Sequence, residues 1–341
     1  MKTLHIIPLV YGGGAEKIVN DWVNADKSIE IDVLSMMPLP ESKVDHPNYF
    51  SLNAKKPYSI MSIFNMYKYI KKYDVIHTHL FPAQICVAIL SIVFPSKKFI
   101  TTEHSTSNRR RSKKIFKYVD KIMYKRYSVI GCITLATKEA LENHIGNKYP
   151  YVVIPNGVNV KKIRESTSYN KEYLGFDCED MLIGMFSRFS EAKDHATLVR
   201  AMNLLPDNYK LLLVGDGELR KDIENMVNDL GIGDRVKFLG FRNDVYSIMK
   251  ACDVVVQSSH WEGFGLVVVE AMACGRPVVV SNIPGMRGLV AVENRFTNEK
   301  ELVDLILNKK YNTDYLDKSF DIGVMIRKYE QCYMAVLGVG K

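Results

Sequence analysis

The sequence predicts an α/β protein made of two doubly wound, Rossmann-like domains, and three observations support this prediction. The chain has 341 residues, too many for one comfortable core and enough for two domains of ordinary size. Short β-rich runs alternate with helical patterns through both halves, which is typical of parallel sheets covered by helices. Hydrophobic residues form 47% and charged residues 25% of the chain, as in an ordinary globular protein.

Six runs in the first half have the composition of strands. They cover residues 3–10, 30–36, 74–80, 98–104, 129–136 and 151–155. The first run stops at glycines after a single lysine, so it is interpreted as a strand and not as a secretory signal. The apolar window from Leu80 to Phe94 is shorter than the roughly 20 residues of a membrane-spanning helix and contains Pro82 and Gln84. We predict a core helix there.

A Pro-Asn-Gly turn signal within residues 155–159 marks the predicted domain junction. Five strand-like runs follow it, at residues 181–187, 209–217, 236–241, 253–259 and 277–282. Apolar residues at helical spacing predict a last helix between residues 319 and 337. They are Ile322, Met325, Ile326, Tyr329 and Tyr333. Because parallel sheets bind ligands at the carboxyl ends of their strands, the cleft between two such domains is the expected site.

The net charge of +8 is concentrated in the first half of the chain. Residues 1–155 contain 22 Lys and Arg against 12 Asp and Glu, an excess of +10, and the remainder contains 24 against 26, or −2. This asymmetry predicts that the first half contacts something anionic. No helix-turn-helix, zinc or aromatic RNA-binding pattern is present, so nucleic acid is not the expected partner.

The segment from Arg109 to Tyr127 is the most basic part of the sequence. Its apolar residues at helical spacing are Ile115, Val119, Ile122 and Met123. Such a helix could lie on an anionic membrane or receive a lipid-linked pyrophosphate. The alternative is a core-packing helix with a solvated basic face, and both interpretations remain open. The basic residues expected at a membrane surface are Arg109, Arg110, Arg111, Lys113 and Lys114.

The six cysteines form no C-x-x-C pair, and several lie in apolar runs. We expect free, reduced, buried thiols of a cytosolic protein. No Asp-x-Asp pair occurs, and the nearest acidic pattern, residues 177–180, lies in the junction tract. Neither a metal nor another cofactor is therefore expected.

The stretch from His260 to Gly285 places two glutamates, Glu262 and Glu270, in an apolar, glycine-rich setting. Its pattern predicts a strand, a loop, a helix ended by Gly275 and a further strand. A helix start flanked by glycines exposes unpaired amides that attract an anion such as a diphosphate. A buried carboxylate needs partners, and ribose or sugar hydroxyls are suitable donors. Alternatively, Glu270 faces solvent or pairs with Arg276.

The pattern E-G-F-G-L-x-x-x-E-A-M-A-x-G-x-P-V-V that starts at Glu262 resembles the signature of retaining glycosyltransferases of family four. Further resemblances follow in the family's order over residues 1 to about 290. They are Gly13-Gly14-Ala15-Glu16, residues 74–81, 101–105, 154–159, 187–195, 211–220 and 237–245. The resemblance implies the GT-B fold, with two Rossmann-like domains facing across a cleft. It implies a first domain of residues 1–157 joined by the returning segment 319–341, and a second domain of residues 158–318.

The resemblance implies roles for residues on both domains. Arg188 and Lys193 would clamp the leaving diphosphate, Glu262 would hold hydroxyls of the donor sugar, and Glu270 would hold the ribose. Backbone amides in contact with phosphates and sugar would come from Gly263, Phe264, Gly265 and Leu266. The family has a glycine before the clamp arginine, and this chain has Ser187, which would crowd the phosphate or point away.

His104 would touch the donor sugar or the acceptor hydroxyl, and a pKa near neutrality would allow a proton-relay role. His79 is a weaker candidate of the same kind, and a purely structural role is the alternative for both. Gly13 and Gly14 would allow close approach of a phosphate or the acceptor, or form a simple turn. Phe241 and Arg242 would border the base.

These implications define a cytoplasmic glycosyltransferase, peripheral on the inner face of the membrane, that needs no metal. It would move a sugar from a UDP- or GDP-sugar to a glycan or lipid-linked acceptor with retained configuration. A front-face reaction in which the leaving phosphate takes the acceptor's proton is expected, without a nucleophilic role for Glu262. The alternatives are a sugar-nucleotide epimerase of the same fold and a catalytically inactive sugar-nucleotide-binding subunit.

Overall fold

The chain folds into two compact units. The computed structural model describes residues 1–25, 27–313 and 316–339. Unit 1 contains Met1–Asn159 and Lys318–Lys341, and unit 2 contains Val160–Asp317. The predicted junctions, after residues 157 and 318, lie one or two residues from these boundaries. The last segment belongs to unit 1, so the chain leaves this unit and returns to it.

Unit 1 is built on a seven-stranded parallel sheet with the order β3-β2-β1-β4-β5-β6-β7. The strands are β1 (Lys2–Ile7), β2 (Glu30–Ser35), β3 (Tyr49–Ser51), β4 (Val75–His79), β5 (Lys98–Glu103), β6 (Val129–Cys132) and β7 (Tyr151–Val153). The order reverses between β1 and β4, and a doubly wound sheet forms its crevice at such a point. The edge strand β3 was not predicted, because three residues give no readable alternation.

Helices cover the sheet of unit 1. They are α1 (Gly14–Asn24), α2 (Ile60–Ile70), α3 (Ala83–Leu90), α4 (Lys114–Tyr124), α5 (Leu135–Ile145) and α12 (Ile322–Leu337). Helices α2 to α5 lie side by side, and α1 packs against α12. All five apolar residues predicted for the last helix are buried in α12. The core helix predicted from Leu80 to Phe94 is the shorter α3, which starts after Pro82.

The apolar residues at helical spacing in α4 do not all face the core. Met123 is buried, but Ile115 and Ile122 are 63% and 69% exposed. The rotation of the helix is set instead by Asp120, which is fully buried and pairs with Arg110 at 3.3 Å. The buried carboxylate of Asp120 needs its ion-pair partner, so the face of α4 that carries Asp120 points inward. Ile115 and Ile122 therefore lie on the outer face.

Unit 2 contains a six-stranded parallel sheet with the order β10-β9-β8-β11-β12-β13. Its strands are β8 (Met181–Phe186), β9 (Tyr209–Val214), β10 (Val236–Gly240), β11 (Val254–Gln257), β12 (Val278–Ser281) and β13 (Arg295–Phe296). Its helices are α6 (Val160–Glu165), α7 (His195–Leu204), α8 (Arg220–Asp229), α9 (Val245–Ala251), α10 (Leu266–Ala273) and α11 (Glu299–Leu307). The order reverses between β8 and β11. The two-residue strand β13 was not predicted.

The six cysteines are free, as expected, although Cys178 is exposed and not buried. In the part of the chain that the structure describes, no helix combines the length and the apolar character needed to cross a bilayer.

Candidate active site

The loop after β1 in unit 1 carries the predicted glycines. Gly13 precedes the first residue of α1, and Gly13 and Gly14 are exposed, so the first amides of this helix lack helical partners. The residue with a left-handed backbone is Gly12, whose φ of +103° favours glycine. A side chain at Gly13 would collide with the carboxylate of Glu16, only 2.6 Å from the position of its Cβ. The backbone of the loop therefore favours glycine at position 12, whereas a larger residue at position 13 requires only that the flexible Glu16 side chain moves.

His79 and His104 lie together at the ends of the neighbouring strands β4 and β5. Nδ1 of His79 is 3.0 Å from Nε2 of His104, and His104 is half-buried. Burial lowers the pKa of His104 to about 4, so the ring is neutral at physiological pH. The expectation of a pKa near neutrality is wrong, because burial disfavours the charged ring more than the nearby Glu103 carboxylate favours it.

Two further histidines, His5 and His77, extend this pair into the interior, and the sequence interpretation missed them. His5 comes from β1 and is 3.0 Å from His79, and His77 lies two residues before His79 on β4. Burial lowers the pKa values of His5, His77 and His79 below the ordinary histidine value. The available signal was the His-x-His alternation on a strand whose five residues are all buried.

Part of the basic segment before α4 points inward. Arg111 pairs with Glu103 at 3.0 Å and Arg110 pairs with Asp120, and all four side chains are at least nine-tenths buried. The guanidinium groups of Arg110 and Arg111 are therefore engaged inside unit 1 and do not lie at a lipid surface as predicted. Lys113 and Lys114 are exposed, whereas the side chain of Arg109 lies outside the described part of the chain.

The carboxyl edge of the sheet in unit 2 brings the predicted donor residues together. Lys193, after β8, contacts the carboxylate of Glu262, after β11, and Lys193 also bridges through its backbone to Ser259. Glu262 accepts a second hydrogen bond from the amide of Gly263 at 3.2 Å. Arg188 is mostly exposed and pairs with Glu218 at 3.2 Å. These contacts surround the point where the strand order reverses.

Ser187, the departure from the family pattern, points away from the open edge of the site. Its hydroxyl is 3.1 Å from Nε2 of His195, the first residue of α7. His195 in turn stacks on Phe189, with ring centroids 4.1 Å apart. The serine therefore anchors the loop that carries Arg188 to the start of α7.

The loop after β9 packs closely against the Ser187–Phe189 segment. A side chain at Gly215 would lie 2.0 Å from the carbonyl oxygen of Ser187, and one at Gly217 would lie 2.3 Å from that of Phe189. Gly215 also has a φ of +137°, which favours glycine. The two glycines thus let the loops after β8 and β9 approach backbone to backbone.

Glu270 is buried within α10, as the glycine-rich motif predicts. It is 5% exposed and accepts a hydrogen bond from the Tyr246 hydroxyl at 3.3 Å. Arg276, the alternative partner, donates to the carbonyl of Cys252. Gly265 precedes α10 with a φ of +85°, and Phe264 is buried. The amides of Gly263 to Leu266 therefore lie at the start of this helix, as predicted.

Phe241 and Arg242 follow β10 at the same edge. Phe241 is exposed, and the guanidinium of Arg242 forms an ion pair with Asp244 at 2.5 Å. The Arg242 side chain is thus engaged within its own loop. Three further polar residues lie near this edge and had no assigned role: Glu218 and Asp244, within matched segments, and Tyr246, just outside one.

Residues 12–162 match the family described as Glycosyltransferase Family 4, and residues 168–307 match Glycosyl transferases group 1. The chain is 30% identical over 265 residues to the UDP-Gal:alpha-D-GlcNAc-diphosphoundecaprenol alpha-1,3-galactosyltransferase of Escherichia coli, covering 72% of this chain and 68% of that protein. An uncharacterized glycosyltransferase of Methanocaldococcus jannaschii is 29% identical, with 96% and 93% covered. The crystal structure of Anabaena HepE in complex with UDP and glucose superimposes with a TM-score of 0.84 at 24% identity, covering 97% and 99%.

The two matches meet near the boundary between the units, the first almost wholly in unit 1 and the second in unit 2. The chain belongs to the family-four glycosyltransferases, and its fold is GT-B.

Proposed function

We propose that the protein is a retaining glycosyltransferase that transfers a sugar from a UDP-sugar to a lipid-linked or polysaccharide acceptor. The observation that carries this proposal is the convergence of Lys193, Glu262 and the start of α10 at one sheet edge, with Glu270 buried behind it. The Escherichia coli relative uses UDP-Gal and a diphosphoundecaprenol-linked acceptor by name, and HepE binds UDP. These names favour UDP over GDP and a lipid-linked acceptor over a free glycan.

The donor would bind through its charged and hydroxyl groups to unit 2. Arg188 and Lys193 would neutralise the diphosphate, while amides at the start of α10 donate to phosphate oxygens. Glu270 would accept hydrogen bonds from the ribose hydroxyls, and Glu262 from hydroxyls of the sugar. The burial of Glu270, beside the hydroxyl of Tyr246 at 3.3 Å, supports this role, because a carboxylate held in an apolar setting is a strong acceptor.

The reaction would proceed on one face of the sugar. As the sugar–phosphate bond breaks, negative charge grows on the leaving diphosphate, and Arg188 and Lys193 stabilise it. The leaving oxygen takes the proton of the acceptor hydroxyl, which then bonds to the sugar on the same face and retains the configuration. Glu262, held by Lys193, is a hydroxyl acceptor and not a nucleophile in this scheme. We expect the activity to persist with a chelator present, since the basic groups replace a metal.

Incubation with UDP-sugars and a short-chain lipid pyrophosphate sugar tests the proposal. We expect a new glycoside whose anomeric proton coupling matches that of the donor. An epimerase would convert the UDP-sugar without acceptor, and an inactive binding subunit would be stabilised by UDP without forming product. Thermal shift gives the second readout: UDP at 100 times its dissociation constant stabilises by roughly 2.7 kcal/mol. Glu270→Ala should lose this shift, whereas exposed Glu293→Ala, in the same unit, should keep it.

We also propose that unit 1 docks on an anionic membrane through the outer face of α2, α3 and α4. Three neighbouring helices expose large apolar side chains there, in place of the polar residues usual on a solvent face. They are Ile60, Met61, Phe64 and Tyr67 on α2, Ile89 on α3, Ile92 and Val93 just after it, and Ile115, Tyr118 and Ile122 on α4. The rings of Tyr67 and Phe94, 4.9 Å apart, join the first two helices across this face.

Charge favours a lipid surface as the partner of this face. Exposed lysines accompany its apolar residues, including Lys56, Lys68, Lys114, Lys117 and Lys125. The acidic residues between positions 46 and 138 are Asp74, Glu103 and Asp120, and the last two are buried. Aliphatic and aromatic groups would enter the headgroup region, and lysines would contact anionic lipids. Each lysine would add about 1 kcal/mol to the binding free energy. Such docking would place the enzyme where a lipid-linked acceptor is presented.

Flotation with vesicles tests this docking surface. The protein should float with vesicles containing anionic phospholipid and much less with neutral ones, and high salt should weaken the binding. Phe64→Ser together with Ile122→Ser should abolish flotation. Val292→Ser, which changes an equally exposed residue of unit 2, is the matched control. Equal flotation of all variants would contradict the surface without touching the donor site.

A further inference from the structure

A continuous chain of seven hydrogen-bonding groups runs through unit 1, from the half-buried His104 to the last helix. In order, the groups are His104, His79, His5, Tyr333, His77, Thr102 and Tyr329. They come from β1, β4, β5, α12 and the residue that follows β5. Six of the seven residues are almost completely inaccessible to solvent, and His104 is the only one that reaches the surface.

The six contacts use every ring nitrogen and hydroxyl between the two ends. His104 Nε2 meets His79 Nδ1 at 3.0 Å, and His79 Nε2 meets His5 Nδ1 at 3.0 Å. His5 Nε2 lies 3.4 Å from the Tyr333 hydroxyl, which is 2.6 Å from His77 Nδ1. His77 Nε2 is 2.7 Å from Thr102 Oγ1, and Thr102 Oγ1 is 2.8 Å from the Tyr329 hydroxyl.

Counting hydrogens fixes the direction of these bonds. Each neutral imidazole has one N–H, and each hydroxyl has one O–H, so seven hydrogens serve six contacts and one is left over. An interior histidine cannot hold the surplus hydrogen. Both of its nitrogens take part in contacts, so its single N–H always serves one of them. If a hydroxyl of Tyr333, Thr102 or Tyr329 held it, a buried donor would have no acceptor among the described residues, which is unfavourable. The surplus hydrogen therefore belongs on the ring that reaches solvent, His104.

We infer that the series of hydrogen bonds ending at Tyr329 holds His104 as the Nδ1–H tautomer. This ring then presents a hydrogen-bond donor at the surface of unit 1. Tyr329 donates to Thr102, and each group then donates to the next, until His79 donates to Nε2 of His104. Nδ1 of His104 is left carrying the hydrogen that faces out of the chain. His5, His77, His79, Thr102 and the two tyrosines are positioning residues that act through His104.

A bound metal is the competing explanation of the same cluster. His5, His77 and His79 each have a ring nitrogen within 4.8 Å of the others, and the three form the one group of this kind in the described residues. However, both nitrogens of His77 already have hydroxyl partners, at 2.6 and 2.7 Å. No carboxylate joins the group to offset the charge of a buried divalent ion. The hydrogen-bonded arrangement satisfies every nitrogen without an ion.

The consequence for the reaction rests on the proposed function, whereas the tautomer does not. A neutral Nδ1–H donates to a sugar hydroxyl or phosphate oxygen and has no lone pair there for use as a base. His104 would thus orient the ligand and not remove the acceptor's proton, which leaves that step to the departing phosphate.

Nuclear magnetic resonance of the protein labelled with 15N-histidine tests the inference without any substrate. Two-bond 15N–1H correlations distinguish the Nδ1–H, Nε2–H and charged forms, and His104→Gln identifies the His104 signals. We expect Nδ1–H to exceed the other tautomer by about tenfold or more at pH 7.5. An Nε2–H or charged His104, or stoichiometric metal in the purified protein by elemental analysis, would overturn the inference.

Two tyrosines one turn apart on α12 provide a matched pair of variants. Tyr333→Phe cuts the chain, and the surplus hydrogen of the remaining three-histidine segment can then lie at His104 or at His5, so the excess of Nδ1–H should fall. Tyr329→Phe removes only the far end, and the surplus still belongs on His104, so the excess should persist. Both tyrosines are buried, so loss of a hydroxyl is common to the two. Equal tautomer ratios in the two variants would contradict the inference.

Kinetics give an independent readout that depends on the proposed function. The amide N–H of asparagine can take the place of Nδ1–H in histidine, whereas that of glutamine lies nearer to Nε2. His104→Asn should therefore retain at least tenfold more kcat than His104→Gln. If both variants lose activity equally while the wild-type tautomer is Nδ1–H, the donor role fails but the hydrogen-bonded chain stands.

Discussion

The ammonium of Lys193 contacts the carboxylate of Glu262 across the point where the strand order of unit 2 reverses. The sequence pattern assigned these two residues to different groups of the ligand, a diphosphate and a sugar hydroxyl. Their pairing means that each already has a partner in the free protein. If the proposed donor binds to both residues, this pair couples binding of the diphosphate to binding of the sugar.

Glu262→Gln should separate these two effects. Without the carboxylate, Lys193 is free for the diphosphate, and we expect UDP to bind up to about tenfold more tightly. Turnover of the UDP-sugar should nevertheless fall on the order of 100-fold, because a sugar contact that grows in the transition state is lost. Lys193→Met should weaken UDP binding and turnover together. Calorimetry and initial rates measure these effects, and weaker UDP binding in both variants would disprove the coupling.

Gly215→Ala should damage unit 2 more than an alanine at another left-handed glycine. Its new methyl would lie 2.0 Å from the Ser187 carbonyl oxygen, so the loop carrying Arg188 must move. We expect a loss of about 3 kcal/mol in the free energy of unfolding and weaker UDP binding. Gly231 has a φ of +68°, but no atom lies within 4 Å of the position of an added Cβ. Gly231→Ala should therefore lower the free energy of unfolding by about 1–2 kcal/mol and leave UDP binding intact. Urea unfolding and UDP titration compare the two, and equal losses would argue against a close contact of the loops.

Arg111→Met should destabilise unit 1 strongly although the arginine belongs to a segment that reads as surface. It leaves the buried carboxylate of Glu103 without its ion-pair partner, at a cost of about 3–5 kcal/mol. Adding Glu103→Gln should recover part of the loss, since no charge is then left unpaired. Arg188→Met, which breaks the exposed pair with Glu218, should change stability by less than about 1 kcal/mol. Similar effects of the two single variants in urea unfolding would show that the inner pair is solvated.

The free energy of unfolding should decrease as the pH is lowered, because buried histidines resist protonation in the folded state. Burial lowers the pKa of His195 to about 4, whereas an unfolded histidine titrates near 6.5. Below pH 6.5 the unfolded state therefore binds more protons, and stability decreases until the folded ring titrates near pH 4. Between pH 7 and pH 5 this histidine alone should account for about 2 kcal/mol.

His195→Gln should make unit 2 correspondingly less sensitive to that change in pH. Trp261 lies in the same unit as His195, so its fluorescence in a Trp22→Phe background reports the unfolding of this unit. An unchanged difference between pH 7 and pH 5 would mean that His195 titrates at the same pKa in the folded and unfolded states. His5 and His104 act in the same direction in unit 1, since burial lowers their pKa values to about 3 and about 4.

The fold was predictable because each strand and helix is indicated by the pattern of residues within its own short segment. Apolar runs bounded by turns and glycines identify eleven of the strands, and the spacing from Ile322 to Tyr333 identifies α12. Both missed strands, β3 and β13, have three residues or fewer and form only because a longer neighbour offers a free edge. The rotation of α4 was missed for a different reason: Asp120 is drawn inward by Arg110 and His144, which are not its neighbours in sequence.

The candidate site was predictable where a motif concentrates its residues in one segment. The motif with Glu262 and Glu270 indicates the helix, the burial of Glu270 and the glycine at its start. The histidine chain has no such segment, since His5, His77 and Tyr333 come from distant parts of the sequence. Their pKa values also depend on burial, which a list of residues does not contain. Ser187 likewise looked like an obstacle until its bond to His195 fixed its direction.

The return of α12 to unit 1 has a consequence for biosynthesis. A ribosome delivers all seven strands of the first sheet and then the whole of unit 2 before it reaches Tyr329 and Tyr333. During that interval Trp22, His5 and His77 have no tyrosine partners, and the imidazole protons can redistribute. Unit 2 can therefore fold first, and the hydrogen of His104 takes its fixed position only when translation is almost finished.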